Sequence, residues 1–73
     1  MQTYYFYINL STHEYLPYYQ GKVKDIIVSS STGKRVQFPA MHLRSFLTSS
    51  GVEGHFCLQT ENNKFVSLKK ITK

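Results

Sequence analysis

The chain has one cysteine, Cys57, no tryptophan and two prolines, and nothing in it approaches the ~20 apolar residues needed to span a bilayer. With a single cysteine there can be no internal disulfide, which excludes the small secreted scaffolds built on such bridges and fits a reducing compartment. The opening Met-Gln-Thr-Tyr-Tyr has no basic leader, and the apolar run behind it is too short and too rich in tyrosine for a signal core. The cytoplasm is therefore the expected location. Acids are few as well. Glu14, Asp25, Glu53 and Glu61 fall at a helix cap, a strand start and two turns, where capping or solvation accounts for each. No Ser-His or Cys-His pair has a third residue placed to orient it, so no catalytic residue is assigned and no enzyme is expected.

Metal and phosphate sites are equally poorly represented. His13, His42, His55 and Cys57 yield one near pair, His55-x-Cys57, on one face of a strand, where a zinc site would need two pairs at fixed spacing. Thr32-Gly33-Lys34 lacks the first glycine and the following Ser or Thr of a phosphate loop, and a hairpin turn explains it. No cofactor is implied.

What the chain does have is enough apolar residues for one small domain over residues 1–73: 41% are hydrophobic and 18% charged. The organising stretch is Arg35-Val-Gln-Phe-Pro-Ala-Met-His-Leu-Arg-Ser-Phe-Leu47. Val36 and Phe38 alternate against Arg35 and Gln37 as in a strand. Pro39 then ends strand pairing and opens a short helix, with Ala40, Leu43 and Leu47 at helical spacing and Phe46 beside them.

The other elements follow from similar patterns. Thr3 to Leu10 is a strand, with Tyr4, Phe6, Ile8 and Leu10 on the core side. Ser11-Thr-His-Glu14 is a capping box for a helix running to about Gln20, with Tyr15, Leu16 and Tyr19 inward and Gly21 as its stop. Pro17 should leave that helix short, bent or partly 3₁₀. Lys22 to Ser30 is apolar on both faces around Ile26-Ile-Val28, which predicts a central strand. A turn at Ser31–Lys34 joins it to Arg35–Phe38 as a hairpin. Thr48–Gly51 and Gly54 mark a loop. His55–Thr60 and Phe65–Ile71 form a second hairpin about Glu61–Lys64, with Val66 and Leu68 on one face and Phe65, Ser67, Lys69 and Ile71 on the other; a basic, frayed tail follows. The expected fold is α+β, β-α-β-β-α-β-β, a small antiparallel curled sheet or partly open barrel with two short helices.

Charge is unevenly placed. Residues 1–21 have no Lys or Arg, whereas residues 22–73 carry all nine cations against three acids, a net +6, and all six tyrosines lie within the first nineteen residues. If the fold brings Tyr5 and Tyr7 beside Lys34, Arg35, Arg44, Lys69 and Lys70, the result is a basic face with stacking rings suited to single-stranded RNA or DNA. About five engaged cations would give a log–log salt slope of roughly −4.5. The alternative is a protein–protein adaptor, or a small homodimeric regulatory protein, that docks a partner on the His42/Arg44 side of the second helix or on an exposed sheet edge. No membrane partner is expected.

Tyr18-Tyr-Gln-Gly21, the Arg35–Phe46 run with its Gln-Phe-Pro-Ala core, Gly51-Val-Glu-Gly-His-Phe56 and Glu61-Asn-Asn-Lys-Phe-Val-Ser-Leu68 resemble a family of small uncharacterised gammaproteobacterial proteins, domain of unknown function number 2835. The resemblance covers nearly the whole chain. It implies a stand-alone cytoplasmic bacterial protein and brings no activity with it.

Overall fold

The computed structural model describes residues 1–71; the expected frayed tail lies outside them. In chain order the elements are β1 (Gln2–Leu10), α1 (Thr12–Tyr19), β2 (Asp25–Ser29), β3 (Arg35–Pro39), a 3₁₀ helix (Ala40–Phe46), β4 (Val52–Glu61) and β5 (Lys64–Lys70). The strands form two antiparallel sheets, β1-β4-β5 and β2-β3, and not the one curled sheet expected; the other expectation is a partly open barrel, and the sheets do not close into a barrel. The architecture is α+β and mostly strand.

The alternation of β1 places Phe6 and Ile8 in the core and leaves Tyr5 and Tyr7 outside. The capping box forms: the Ser11 hydroxyl accepts from the Glu14 N–H at 3.1 Å, and the Ser11 N–H donates to the Glu14 carboxylate at 2.9 Å. The Ser11 N–H on the carboxylate, with the Ser11 hydroxyl adding to it and desolvation opposing, holds the Glu14 carboxyl below the usual carboxylate range. Despite Pro17 the helix that follows is α over its eight residues. Its inward residues are Tyr15 and, half-buried, Tyr18, whereas Leu16 and Tyr19 are exposed. One ring anchors the helix: the buried Tyr15 hydroxyl donates to the Ala40 carbonyl at 3.0 Å. Burial raises the pKa of that phenol, and the neighbouring Arg44 charge partly offsets the rise.

The 3₁₀ geometry belongs to the second helix instead. Its apolar residues Ala40, Leu43 and Phe46 recur every third position, so a three-residue turn stacks them on one side. The β2 strand also departs from expectation. Only Ile26 and Val28 point inward; Ile27 is 55% exposed, because β2 pairs with β3 alone and its outer face has no covering layer.

Further along, β4 begins at Val52, so Gly54 lies within the strand opposite Ile8 and not in a loop. Gly51 just before it has φ +108°, and a Cβ there would collide with the Leu10 carbonyl. Asn62 and Asn63 are both left-handed, φ 52° and 64°, and form the two-residue turn of the β4–β5 hairpin. A bulge follows. Thr60 pairs with Phe65 but Gln59 pairs with Ser67, so Val66 is an extra residue. It places Phe65 and Leu68 on the core side together and leaves Val66 exposed, reversing the expected separation of Phe65 from Leu68.

The inner faces of both sheets share one core. Phe6 contacts Phe38 of the second sheet, centroids 5.6 Å apart, and Phe56 of its own sheet at 6.0 Å, while Phe46 meets Phe56 edge-on at 5.1 Å. The 3₁₀ helix closes one side of this core through the fully buried Leu43.

Candidate nucleic-acid interface

Because β1, β4 and β5 are in register, residues far apart in sequence fall into rows on the outer face of their sheet. One row is Tyr5–Cys57–Lys69, and the next pairs Tyr7 with His55. Adjacent strands lie ~4.8 Å apart, so the Tyr5 and Lys69 backbones are separated by roughly 10 Å. Among the described residues no helix covers the tyrosines: Tyr5 is 48% exposed and Tyr7 49%. The Tyr7 ring leans on His55, centroids 4.9 Å apart at 51°.

The second sheet continues this surface. The Ser31 N–H donates to the Tyr5 carbonyl at 2.8 Å, bringing the β2 end beside β1. Tyr5, Tyr7, His55, Ser29 and Ser31 border a shallow depression of about 230 Å³. Arg35 is the exposed cross-strand partner of Ser29. Lys69 thus shares the Tyr5 row of one sheet face, whereas Arg35 lies a strand beyond Ser29 in the other sheet and does not border the depression.

The remaining candidates point elsewhere. The Lys34 ammonium sits 5.7 Å from the ring centroid of Tyr4, on the opposite face of β1 from Tyr5. The Arg44 guanidinium lies over Tyr19 at 4.8 Å and donates to the Tyr19 carbonyl at 3.2 Å, out on the helical side. Lys70 pairs with Phe56, so it takes the face opposite to Lys69. Two acids of β4, Glu53 and Glu61, lie on this face, and Glu53 reaches the tyrosines. The Tyr7 hydroxyl donates to Glu53 at 2.7 Å; that bond, some desolvation and the carboxylate charge push the ionisation of Tyr7 above the usual tyrosine range.

Sequence reasoning treated His55 only as a metal candidate and missed its place beside Tyr7. Its even spacing from Cys57 put it on a defined strand face, but the β1–β4 register that brings Tyr7 opposite cannot be read from either strand alone. Among the described residues, no three or more His, Cys, Asp or Glu side chains gather in a way that could hold a metal ion, and no helix is long and apolar enough to cross a membrane. No curated protein and no solved structure matches the chain. Residues 2–71 match the family described as "Protein of unknown function (DUF2835)", and the chain belongs to that family.

Proposed function

We propose that this protein is a small non-enzymatic binding module of the gammaproteobacterial cytoplasm that holds single-stranded nucleic acid on the outer face of its β1–β4–β5 sheet. The observation that carries the reading is the pair of half-exposed rings, Tyr5 and Tyr7, on a sheet face that also carries Lys69 in the Tyr5 row. A sheet face with uncovered aromatics and flanking cations stacks bases and tracks the backbone without reading sequence.

Magnitudes define what kind of binder this is. Two stacked bases at about 1–3 kcal/mol each contribute ~2–6 kcal/mol, so stacking alone reaches no tighter than tens of micromolar. With Arg35 and Lys69 as the engaged cations, a single strand gives a log–log salt slope of roughly −1.4, against roughly −3.5 for five cations on the same strand (roughly −4.5 is the duplex value). Binding is thus weak and governed more by the rings than by charge.

Fluorescence anisotropy of labelled oligo-uridine and oligo-thymidine at low salt tests this. Saturable binding should fall at least tenfold in Tyr5→Ala/Tyr7→Ala, and Lys70→Ala should leave it intact. No binding to either oligomer at low salt refutes the proposal. Strand addition by a protein partner has less support: the free edge of β5 carries a bulge and Lys64, Lys69 and Lys70, devices that discourage edge pairing. His42, expected on a docking face, is instead stacked on Phe65.

A further inference from the structure

On the helical side, a cleft of about 410 Å³ opens between the end of α1, the loop before β2 and the 3₁₀ helix. Its walls are apolar, with Tyr18, Val23, Pro39 and Met41 contributing to them. Met41 is 65% exposed and Val23 43%, so both present apolar surface to the cleft. The rim is basic. Lys24 and Arg44 stand against one acid, Asp25, whose carboxylate already accepts from the Gln37 amide at 3.0 Å. Neither cation is in a salt bridge among the described residues.

Arg44 is also held in place. Its guanidinium is fixed by the Tyr19 carbonyl at 3.2 Å and by the Tyr19 ring beneath it, so little side-chain freedom is left to lose on binding. A planar fork on a basic rim above an apolar wall matches one ligand chemistry: an apolar body carrying one carboxylate. The volume lies within the range of small-molecule sites, and Met supplies a side chain that adapts to the ligand's shape. We propose that this cleft binds a small organic monocarboxylate, an aryl or short-chain aliphatic acid. The apolar body lies on Val23, Pro39 and Met41, and the carboxylate is taken by Arg44 with Lys24. The site lies apart from the tyrosine face and stands or falls independently of it.

The test is a ¹⁵N-correlation NMR titration of the full chain with 4-phenylbutyrate and octanoate, against 4-phenylbutanamide as the neutral counterpart. Both acids should shift the amides of Val23, Lys24, Met41 and Arg44, and the neutral amide should bind at least about tenfold more weakly, as expected for losing a charge-assisted pair. Met41→Asp, at an exposed position that does not endanger folding, should abolish the shifts, and Arg44→Leu should weaken both acids while leaving the amide unchanged. Equal binding of acid and amide, shifts outside the cleft, or none at millimolar acid would overturn the proposal. So would binding of a peptide through its free carboxyl terminus when both small acids fail, which would assign the cleft to a protein partner.

Discussion

The His42 ring lies flat on Phe65, centroids 3.5 Å apart and planes 1° from parallel. His42 belongs to the 3₁₀ helix and Phe65 to the start of β5, so this stack seats the helix against the sheet. It depends on the bulge. With regular alternation back from Leu68, Val66 would face the core and Phe65 would face solvent, leaving His42 without its platform.

Removing the extra residue should accordingly be tolerated. Deleting Val66 keeps Phe65 opposite Thr60 and Ser67 opposite Gln59, so every inward residue of β5 stays inward. The deletion is expected to cost less than about 1 kcal/mol, whereas Phe65→Ala, which loses a half-buried ring and the stack, costs about 2 kcal/mol. Urea melts compare the two. A deletion variant that fails to unfold cooperatively would show that Val66 shapes the strand rather than merely spacing it.

Gly51→Ala should be the harsher change despite adding one methyl. The new Cβ would meet the Leu10 carbonyl and lie 2.8 Å from the Ser11 carbonyl carbon, at a φ of +108° that side chains avoid. Backbone on both sides cannot yield as a flexible side chain would, so a loss of about 3 kcal/mol or more is expected in the same melts. A variant as stable as the parent would mean that the β1–α1 corner is not packed on Gly51.

These two positions mark where the sequence stopped being legible. The capping box, the Tyr4/Phe6/Ile8 face and the Phe38 side of the proline stretch were readable because each depends on neighbours within a few residues. The bulge at Val66 was not, since Phe65–Leu68 alternates acceptably in either register and only pairing with β4 decides. Ile26-Ile-Val28 misled for a related reason: three apolar residues read as two buried faces, but the second sheet ends after two strands and leaves Ile27 uncovered. The split of the cations was legible only in part: alternation separates Lys69 from Lys70, but which of them shares the tyrosine face depends on pairing with β4. Lys69 and Lys70 are adjacent in sequence and take opposite faces, so a count of basic residues overstated the charge beside the tyrosines.

Phe38→Ala tests the core itself. Phe38 is 3% exposed and its ring touches Phe6 across the two sheets, so truncation removes the contact that joins them. A loss of about 3–5 kcal/mol is expected, a large share of the stability of a chain this short. A Tm matching the parent would contradict the shared core.

Acid should weaken the cap on α1. The carboxyl of Glu14 is held below its usual range by the Ser11 bonds, so its ionised form stabilises the fold. That contribution is fully present above the usual glutamate range and is lost as the pH falls through the depressed folded value. Glu14→Gln should therefore melt below the parent near neutrality, and the two Tm values should converge in acid. A gap that stays constant with pH would mean the carboxylate charge does not matter.

Glu53→Gln separates the stacking face from its charge. The carboxylate lies on the proposed binding surface, bonded to Tyr7, and repels an incoming phosphate. Replacing it with a neutral amide removes one exposed like-charge contact, worth about 0.3–1 kcal/mol at low salt, or roughly 1.5- to 5-fold tighter oligonucleotide binding. The ionisation of Tyr7 should fall back toward the ordinary tyrosine range, because the bond to Glu53 is the main cause of its rise. Since a raised tyrosine pKa stabilises the fold below the ordinary value and the benefit is lost as pH climbs through the raised one, the parent should show that alkaline loss, the variant should lack most of it, and their stabilities should draw together in alkali. Anisotropy and alkaline melts check the two effects separately. Unchanged oligonucleotide affinity with a lowered Tyr7 ionisation would mean that Glu53 contacts Tyr7 as built but that the nucleic acid binds elsewhere.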